Sequence, residues 1–316
     1  MISSGMLVCS FTIKKRFSRT GDLYHLNERV QMHNHNYDDA VDVFTAFCRE
    51  NEKYTDDSAS MKMFSIDQDS IKVFDQAAYK ALVFTINSGN YGIESEITDR
   101  HTGIINYMVT EDDANIKKFK CLIYIPKDVA EHKVNKGILI FQTIASYGVK
   151  TLTCKQLKAF FSKNDMTFET RSVSARSFFE QLIQKGLAHK ITLIKNRVSP
   201  DNSDSMLITS GREERSFYKP QLKESFVSRL LDFVEDRQDD ELFEINDEEF
   251  EDVKVTFKIG NSYRTVSVSD LDRFSVVEEF PPHVFEDGGF NEQKVVNHMI
   301  DTARTYSQKM IFYNQE

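Results

Sequence analysis

TCKQLKAFFSKNDMTFETRSVSARSFFEQLIQKGLAHKITLIK, residues Thr153–Lys195, is the stretch from which the organisation of this chain is read. Thr153 with Gln156 three positions on makes a capping-box pattern, and Cys154, Leu157, Phe160 and Phe161 then recur on one helical face. A second helix runs from the capping candidate Ser174 to Gly186, with Ala175, Phe178, Phe179, Leu182 and Ile183 on one stripe. It closes on Lys185-Gly186, a cation at the negative helix end and a glycine suited to the left-handed cap. The run Ala188–Lys195 reads as a strand, followed by a polar loop over Asn196–Ser205 and a short strand at Met206–Thr209.

Two arrangements of this region stay open. The order helix, helix, strand, loop, strand is similar to a winged helix, with Ser174–Lys185 as recognition helix and Asn196–Ser205 as wing. That likeness is one of element order and identifies no family. Asn164–Val173 is longer than the turn of about 3–4 residues inside a helix-turn-helix. With Met166–Val173 as a strand, the region becomes a βαβ unit of a larger sheet.

On the N-terminal side, Met6–Ile13 reads as a strand. Ala40, Val41, Phe44, Phe47 and Cys48 mark an amphipathic helix behind the capping candidates Asn36 and Asp38. Ala81–Asn87, Tyr91–Thr98 and Gly103–Val109, separated by Ser88-Gly89-Asn90 and Asp99-Arg100-His101-Thr102, predict an antiparallel meander. Phe119–Pro126 and Gly137–Phe141 are more continuously apolar, as buried strands are. On the C-terminal side the pattern predicts a helix over Leu222–Glu235 and a hairpin of Val253–Ile259 with Arg264–Val268 around Gly260-Asn261. Pro281-Pro282 and Gly288-Gly289 punctuate the chain before a final helix capped by Asn291, with Val295, Val296, Met299, Ile300 and Ala303 on its buried side. The fold expected is α+β, a mixed, largely antiparallel sheet with packed amphipathic helices in two lobes. Its segments are an N-terminal α/β lobe (1–145), a basic region (146–230) and an acidic α+β region (231–316).

Charge is the second signal. The chain of 316 residues carries a net charge of -9, but the sign changes along it. Residues 1–115 hold 11 Lys+Arg against 18 Asp+Glu, 116–230 hold 21 against 10, and 231–316 hold 8 against 21. Twelve of those acids fall between Asp232 and Asp252. Lys150, Lys155, Lys158, Lys163, Arg171, Arg176, Lys185, Lys190, Lys195 and Arg197 fall on or beside the two central helices and the strand after them. Cations that avoid the apolar stripes can meet phosphates, each contact adding affinity by counterion release. The function expected is nucleic-acid binding, DNA or RNA, by the basic centre, modulated by the acidic C-terminal region. The bland alternative is that acidic and basic parts pair within the molecule or across a dimer.

Other chemistry is thinly represented. GxxxxGK[ST], HExxH, GxSxG and GxGxxG are all missing, which argues against a P-loop nucleotidase, and no cofactor is expected. Asp67, Asp69 and Ile71 open like a calcium loop but lack its glycine, and read as the polar start of a helix. His33-Asn34-His35 with Asp38 and Asp39 could contribute to a metal site, though a polar loop explains them equally. Glu251, Asp252 and Lys254 at a strand start fit a metal-dependent nuclease loosely, a solvated strand as well. A protein-interaction or assembly role without nucleic acid, through Phe-rich helices or self-association, is the other class.

Composition supplies the bounds. Hydrophobic residues make 40% of the chain and Phe occurs 25 times, enough for a packed core. No window approaches the roughly 18 apolar residues of a membrane helix, and Met1–Ser10 lacks the basic start of a secretory signal, so the expected compartment is cytoplasmic with no membrane partner. Cys9, Cys48, Cys121 and Cys154 are scattered without a CxxC pair and read as buried free thiols.

Overall fold

The computed structural model describes residues 4–15, 22–32, 35–129, 133–145, 147–185, 187–195, 212–236, 243–245, 248–259, 262–268, 277–286 and 289–308, the side chains of 174–178, 234–236, 259 and 262–264 excepted. The chain divides into two compact units, one of Met1–Arg171 with Val277–Glu316 and one of Ser172–Val276. The expected division after residue 145 falls inside the first unit and that after 230 inside the second.

The first unit begins with β1 (Ser4–Lys15), β2 (Val30–Met32), β3 (His35–Tyr37), α1 (Ala40–Glu50), β4 (Thr55–Asp57), β5 (Lys62–Asp75) and β6 (Tyr79–Asn90). It continues with β7 (Ser95–Thr98), β8 (Ile105–Val109), β9 (Asn115–Pro126), β10 (Lys136–Ile144), β11 (Tyr147–Gly148), α2 (Lys150–Lys163) and β12 (Met166–Ser172). The second unit holds α3 (Val173–Gln184), β13 (Ala188–Lys195), β14 (Glu213–Tyr218), α4 (Glu224–Asp236), β15 (Phe243–Ile245), β16 (Glu248–Phe250), β17 (Asp252–Ile259) and β18 (Ser262–Ser267). The chain then returns to the first unit with β19 (Glu278–Glu279), a 3-10 turn at Pro282–Val284, β20 (Phe285–Glu286), β21 (Gly289–Phe290) and α5 (Glu292–Ser307).

A nine-stranded sheet organises the first unit, in the order β12-β1-β10-β9-β6-β5-β4, with β11 on β10 and β19 on β1. From β1 to β4 its registers are antiparallel. Alternation along a strand sends successive side chains to opposite faces. On one face lie α1 and α2, whose Phe44 and Phe161 join Phe11 and Phe168 in an aromatic cluster. Phe44 stands 5.2 Å from Phe11 edge-on, and Phe161 stacks on Phe168 at 5.2 Å. The other face carries α5, where Lys120 Nζ lies 3.0 Å from Glu292 and the Arg304 guanidinium sits 5.6 Å from the Tyr79 ring centre. The unit is therefore layered helix, sheet, helix. All four cysteines are buried, and none is in a disulfide. Burial pushes the thiols of Cys48, Cys121 and Cys154 up, which keeps them protonated and unreactive at neutral pH.

The expected strand at Met6–Ile13, the apolar strands and the Asn291-capped helix are all present, with local corrections. Asp39 caps α1, accepting from the Asp42 amide at 3.1 Å, because it is the last extended residue before the helix. Helix α2 begins at Lys150 rather than at Thr153, whose hydroxyl turns back to the Val149 carbonyl at 2.8 Å. Asp67 and Asp69 lie within β5, not at a helix start, where the register shifts between Asp67 and Lys72.

The meander is also corrected. Strand β6 pairs with β9 along its whole length, from Tyr79 opposite Pro126 to Asn90 opposite Asn115. Strands β7 and β8 pair only with each other, as a separate two-stranded ribbon. The apolar faces of β6 and β9 fill the core, and the acidic ribbon between them has no place there.

The second unit is an antiparallel sheet in the order β14-β13-β17-β18, covered by α3 and α4. Its core joins Phe179, Leu182 and Ile183 of α3 and Leu230 and Phe233 of α4 to Ile191, Leu193, Val253, Val255 and Phe257 of the sheet. The small β15–β16 hairpin brings in Phe243 and Phe250. Strand β12 separates α2 from α3, as one of the two expected arrangements has it. It joins the first unit's sheet whereas β13 joins the second's, so α3 neither follows α2 across a short turn nor crosses over within one sheet. Burial of Met166 and Phe168 commits this segment to the first unit. The wing loop 196–205, the strand at 206–209 and the turn Gly260-Asn261 lie outside the described residues.

Candidate nucleic-acid interface

The ten cations singled out by the sequence divide between the two units. Lys150, Lys155, Lys158 and Lys163 line α2 and Arg171 ends β12, all in the first unit. Lys185 caps α3, and Lys190 and Lys195 lie on β13 in the second. Arg176 is on α3 with its side chain outside the described set, and Arg197 lies outside it altogether. Several are already occupied. Lys155 donates to Asp57 at 2.7 Å and holds that carboxyl below its usual range. Lys163 lies 3.5 Å from Glu50, and Lys190 sits 5.1 Å from the Tyr218 ring centre. Lys150 and Lys158, one turn either side of Cys154, form no ion pair among the described residues, and neither do Arg171 and Lys185.

Lys195 shows where the basic centre and the acidic segment meet. Its ammonium lies 2.5 Å from Glu248, and Arg215 reaches the same carboxylate at 2.7 Å while also holding Glu213 at 2.8 Å. The bond from Arg215, then that from Lys195, holds the Glu248 carboxyl down to about 2. The β15–β16 hairpin thus sets one carboxylate of the acidic run against Lys195 of the basic strand β13 and Arg215 of β14, as the self-complementary reading requires at this point.

In the first unit a different group converges. Along β1, Ser10, Thr12 and Lys14 alternate with the buried Phe11 and Ile13, so the three polar side chains share the sheet face away from α1 and α2. The register sets Thr12 opposite Lys136. Glu169 and Arg171 project from β12, the terminal strand of the sheet order, and Lys14 pairs with Glu169 at 2.8 Å. These residues line a groove of about 200 Å³ holding three cations, one carboxylate and two hydroxyls. Such a set suits a phosphate, the planar guanidinium offering two donors at once and the hydroxyls adding neutral ones. On the neighbouring side of β12, Thr170 lies 4.0 Å from Cys154, which carries the unpaired Lys150 and Lys158 on its own helix. Arg171 is among the cations expected from sequence, whereas Lys14 and Lys136 are not. The signal for Lys14 is the polar alternation Ser10-Thr12-Lys14 in an otherwise apolar strand.

The other candidates are less coherent. His33 lies outside the described residues, and His35, exposed on β3, stacks with Tyr37 at 6.3 Å. Asp252 starts β17 and accepts from Ser267, beside Glu251 and Lys254. Among the described residues no group of three or more His, Cys, Asp or Glu side chains is placed to hold a metal. A second groove, of about 450 Å³ beside α5, contains Asp67, Lys118, Lys120, Gln142 and Glu292. Its Lys120 is spent on Glu292 and Thr85, and Lys118 lies 3.6 Å from Asp67.

No family model, no curated protein and no solved structure matches this chain. No helix among the described residues is long and apolar enough to cross a membrane.

Proposed function

We propose that the protein binds nucleic acid through phosphate contacts from the first unit, on both sides of β12. The observation that carries this reading is the groove where Arg171, which forms no ion pair among the described residues, stands beside the Lys14–Glu169 pair, Lys136 and the hydroxyls of Ser10 and Thr12. Lys150 and Lys158 extend the positive strip onto α2. Cations spaced along a strand and a helix suit a repeating backbone charge, with affinity that falls steeply as salt rises. In the second unit the acidic segment is assigned the modulating part, since Glu248 withholds Lys195 and Arg215 from any outside anion. Four buried cysteines outside any disulfide suit a reducing, cytoplasmic setting.

A mobility-shift titration with duplex DNA, single-stranded DNA and RNA across salt concentrations tests the reading. Salt-sensitive binding is expected, abolished by Lys14→Glu with Arg171→Glu and weakened by Lys150→Glu with Lys158→Glu. No binding at low salt, or unchanged binding by both double variants, sinks it.

A further inference from the structure

The β7–β8 ribbon leaves the sheet between Asn90 and Asn115 and buries almost none of itself. Ile97 is 51% exposed, Tyr107 52% and Met108 57%, with Ile93, Ile104 and Ile105 exposed beside them. Its register sets Ser95 opposite Val109 and Ile97 opposite Tyr107, so these four side chains share one face of the ribbon. That face lines a groove of about 820 Å³ whose other wall is Gly89, Asn90, Asn115 and Tyr147. Lys117, also in the groove, is engaged by the Tyr147 ring at 4.1 Å.

Two further properties narrow what fits. An isolated two-stranded ribbon is marginal in water and gains most from a third strand, while an unpaired strand edge is a template for one. Neither β7 nor β8 pairs with any other described strand. The charge is one-sided: residues 91–114 hold six acids and a single arginine. Asp99 and Asp113 are used to fold the turns, accepting from Thr102 and Thr110. Glu94, Glu96, Glu111 and Asp112 form no ion pair among the described residues. The groove lining itself carries Lys62, Lys117 and Asp113, so the acids that attract a basic chain are those on the ribbon outside the groove.

We propose that the β7–β8 ribbon is a docking site for an extended, lysine- and arginine-rich segment of a partner protein. The segment adds as a third strand, its apolar side chains entering the Ile97/Tyr107 groove and its alternating cations meeting Glu94, Glu96, Glu111 and Asp112. Backbone pairing supplies affinity, and the alternation of charge and apolar bulk supplies register. This surface is separate from the phosphate groove at β12 and does not depend on it.

The test uses the full chain and a fluorescein-labelled synthetic peptide of alternating Lys and Ile or Val, followed by anisotropy. Saturable binding is expected, weakened at least tenfold by Glu94→Lys with Glu96→Lys and equally by Ile97→Ser with Tyr107→Ser. Amide exchange should slow on binding across residues 94–109. Both double variants lie outside the β6–β9 register, so their circular dichroism and unfolding midpoint should match the parent. No saturable binding overturns the proposal, as does binding indifferent to the Ile97/Tyr107 variant, which would be charge attraction alone. Self-association of the unliganded chain that the same variants abolish also overturns it, the occupant then being a second copy.

Discussion

Lys195 on β13 and Glu248 on β16 are 53 residues apart in sequence, yet their charged groups lie 2.5 Å from each other. Arg215 closes on the same carboxylate from β14 at 2.7 Å. The acidic segment therefore serves as a ligand for its own unit before any external partner is considered.

The pH dependence of unfolding should report this cluster. Glu248 is lowered from 4.5 to about 2 in the folded state, so its contribution is full above 4.5 and is lost as pH falls towards 2. Denaturant titrations of the parent across that window should show a falling midpoint for the second unit. In Glu248→Gln that part of the acid dependence should flatten, and an unchanged acid limb would argue that other carboxylates set it.

Phosphate contacts should separate free cations from occupied ones. Arg171→Ala should make the slope of log affinity against log salt shallower by about 0.9 on duplex DNA. Lys195→Ala should leave the slope as it was, because Glu248 already neutralises that charge. Equal effects from the two variants would contradict the assignment.

The aromatic cluster under α1 and α2 should dominate the first unit's stability. Phe44 meets Phe11, Phe161 and Phe168 within 6.0 Å and is fully buried. Phe44→Ala should cost about 3–5 kcal/mol in urea unfolding, and Phe44→Leu distinctly less, since most of the volume is kept.

The ribbon should be dispensable for folding. Because β6 and β9 remain paired up to Asn90 and Asn115, replacing residues 91–114 by an Asn-Gly turn should give a folded chain with a midpoint within a few degrees of the parent. Collapse of that variant would mean the ribbon contributes to the core.

Much of the fold was legible because periodicity reports burial. Phe119–Pro126 and Val295–Ala303 carry runs that fit only a buried strand and a one-sided helix. Strand β5 was not legible, because Asp67, Gln68, Asp69 and Ser70 sit at a register shift where alternation lapses. The meander fails for a related reason: neighbours in sequence are not here neighbours in the sheet, and local pattern does not encode that β9 displaces β7 beside β6. For the candidate site, charge was visible but partners were not. Nothing near Lys195 announces Glu248, and Lys136 joins Thr12 only through a pairing across more than a hundred residues.

The position of α5 bears on how the molecule is made. Its Val295, Val296, Met299 and Ile300 are buried at the sheet face that carries Lys120 and Tyr124. During synthesis that face stays uncovered until the chain has passed residue 300, whereas the second unit is contiguous and can close earlier. The ribosome thus releases a finished insert while its host is still waiting for a lid. A nascent chain halted between residues 277 and 291 would present a half-clad sheet, and this is the interval in which a chaperone would find most to hold.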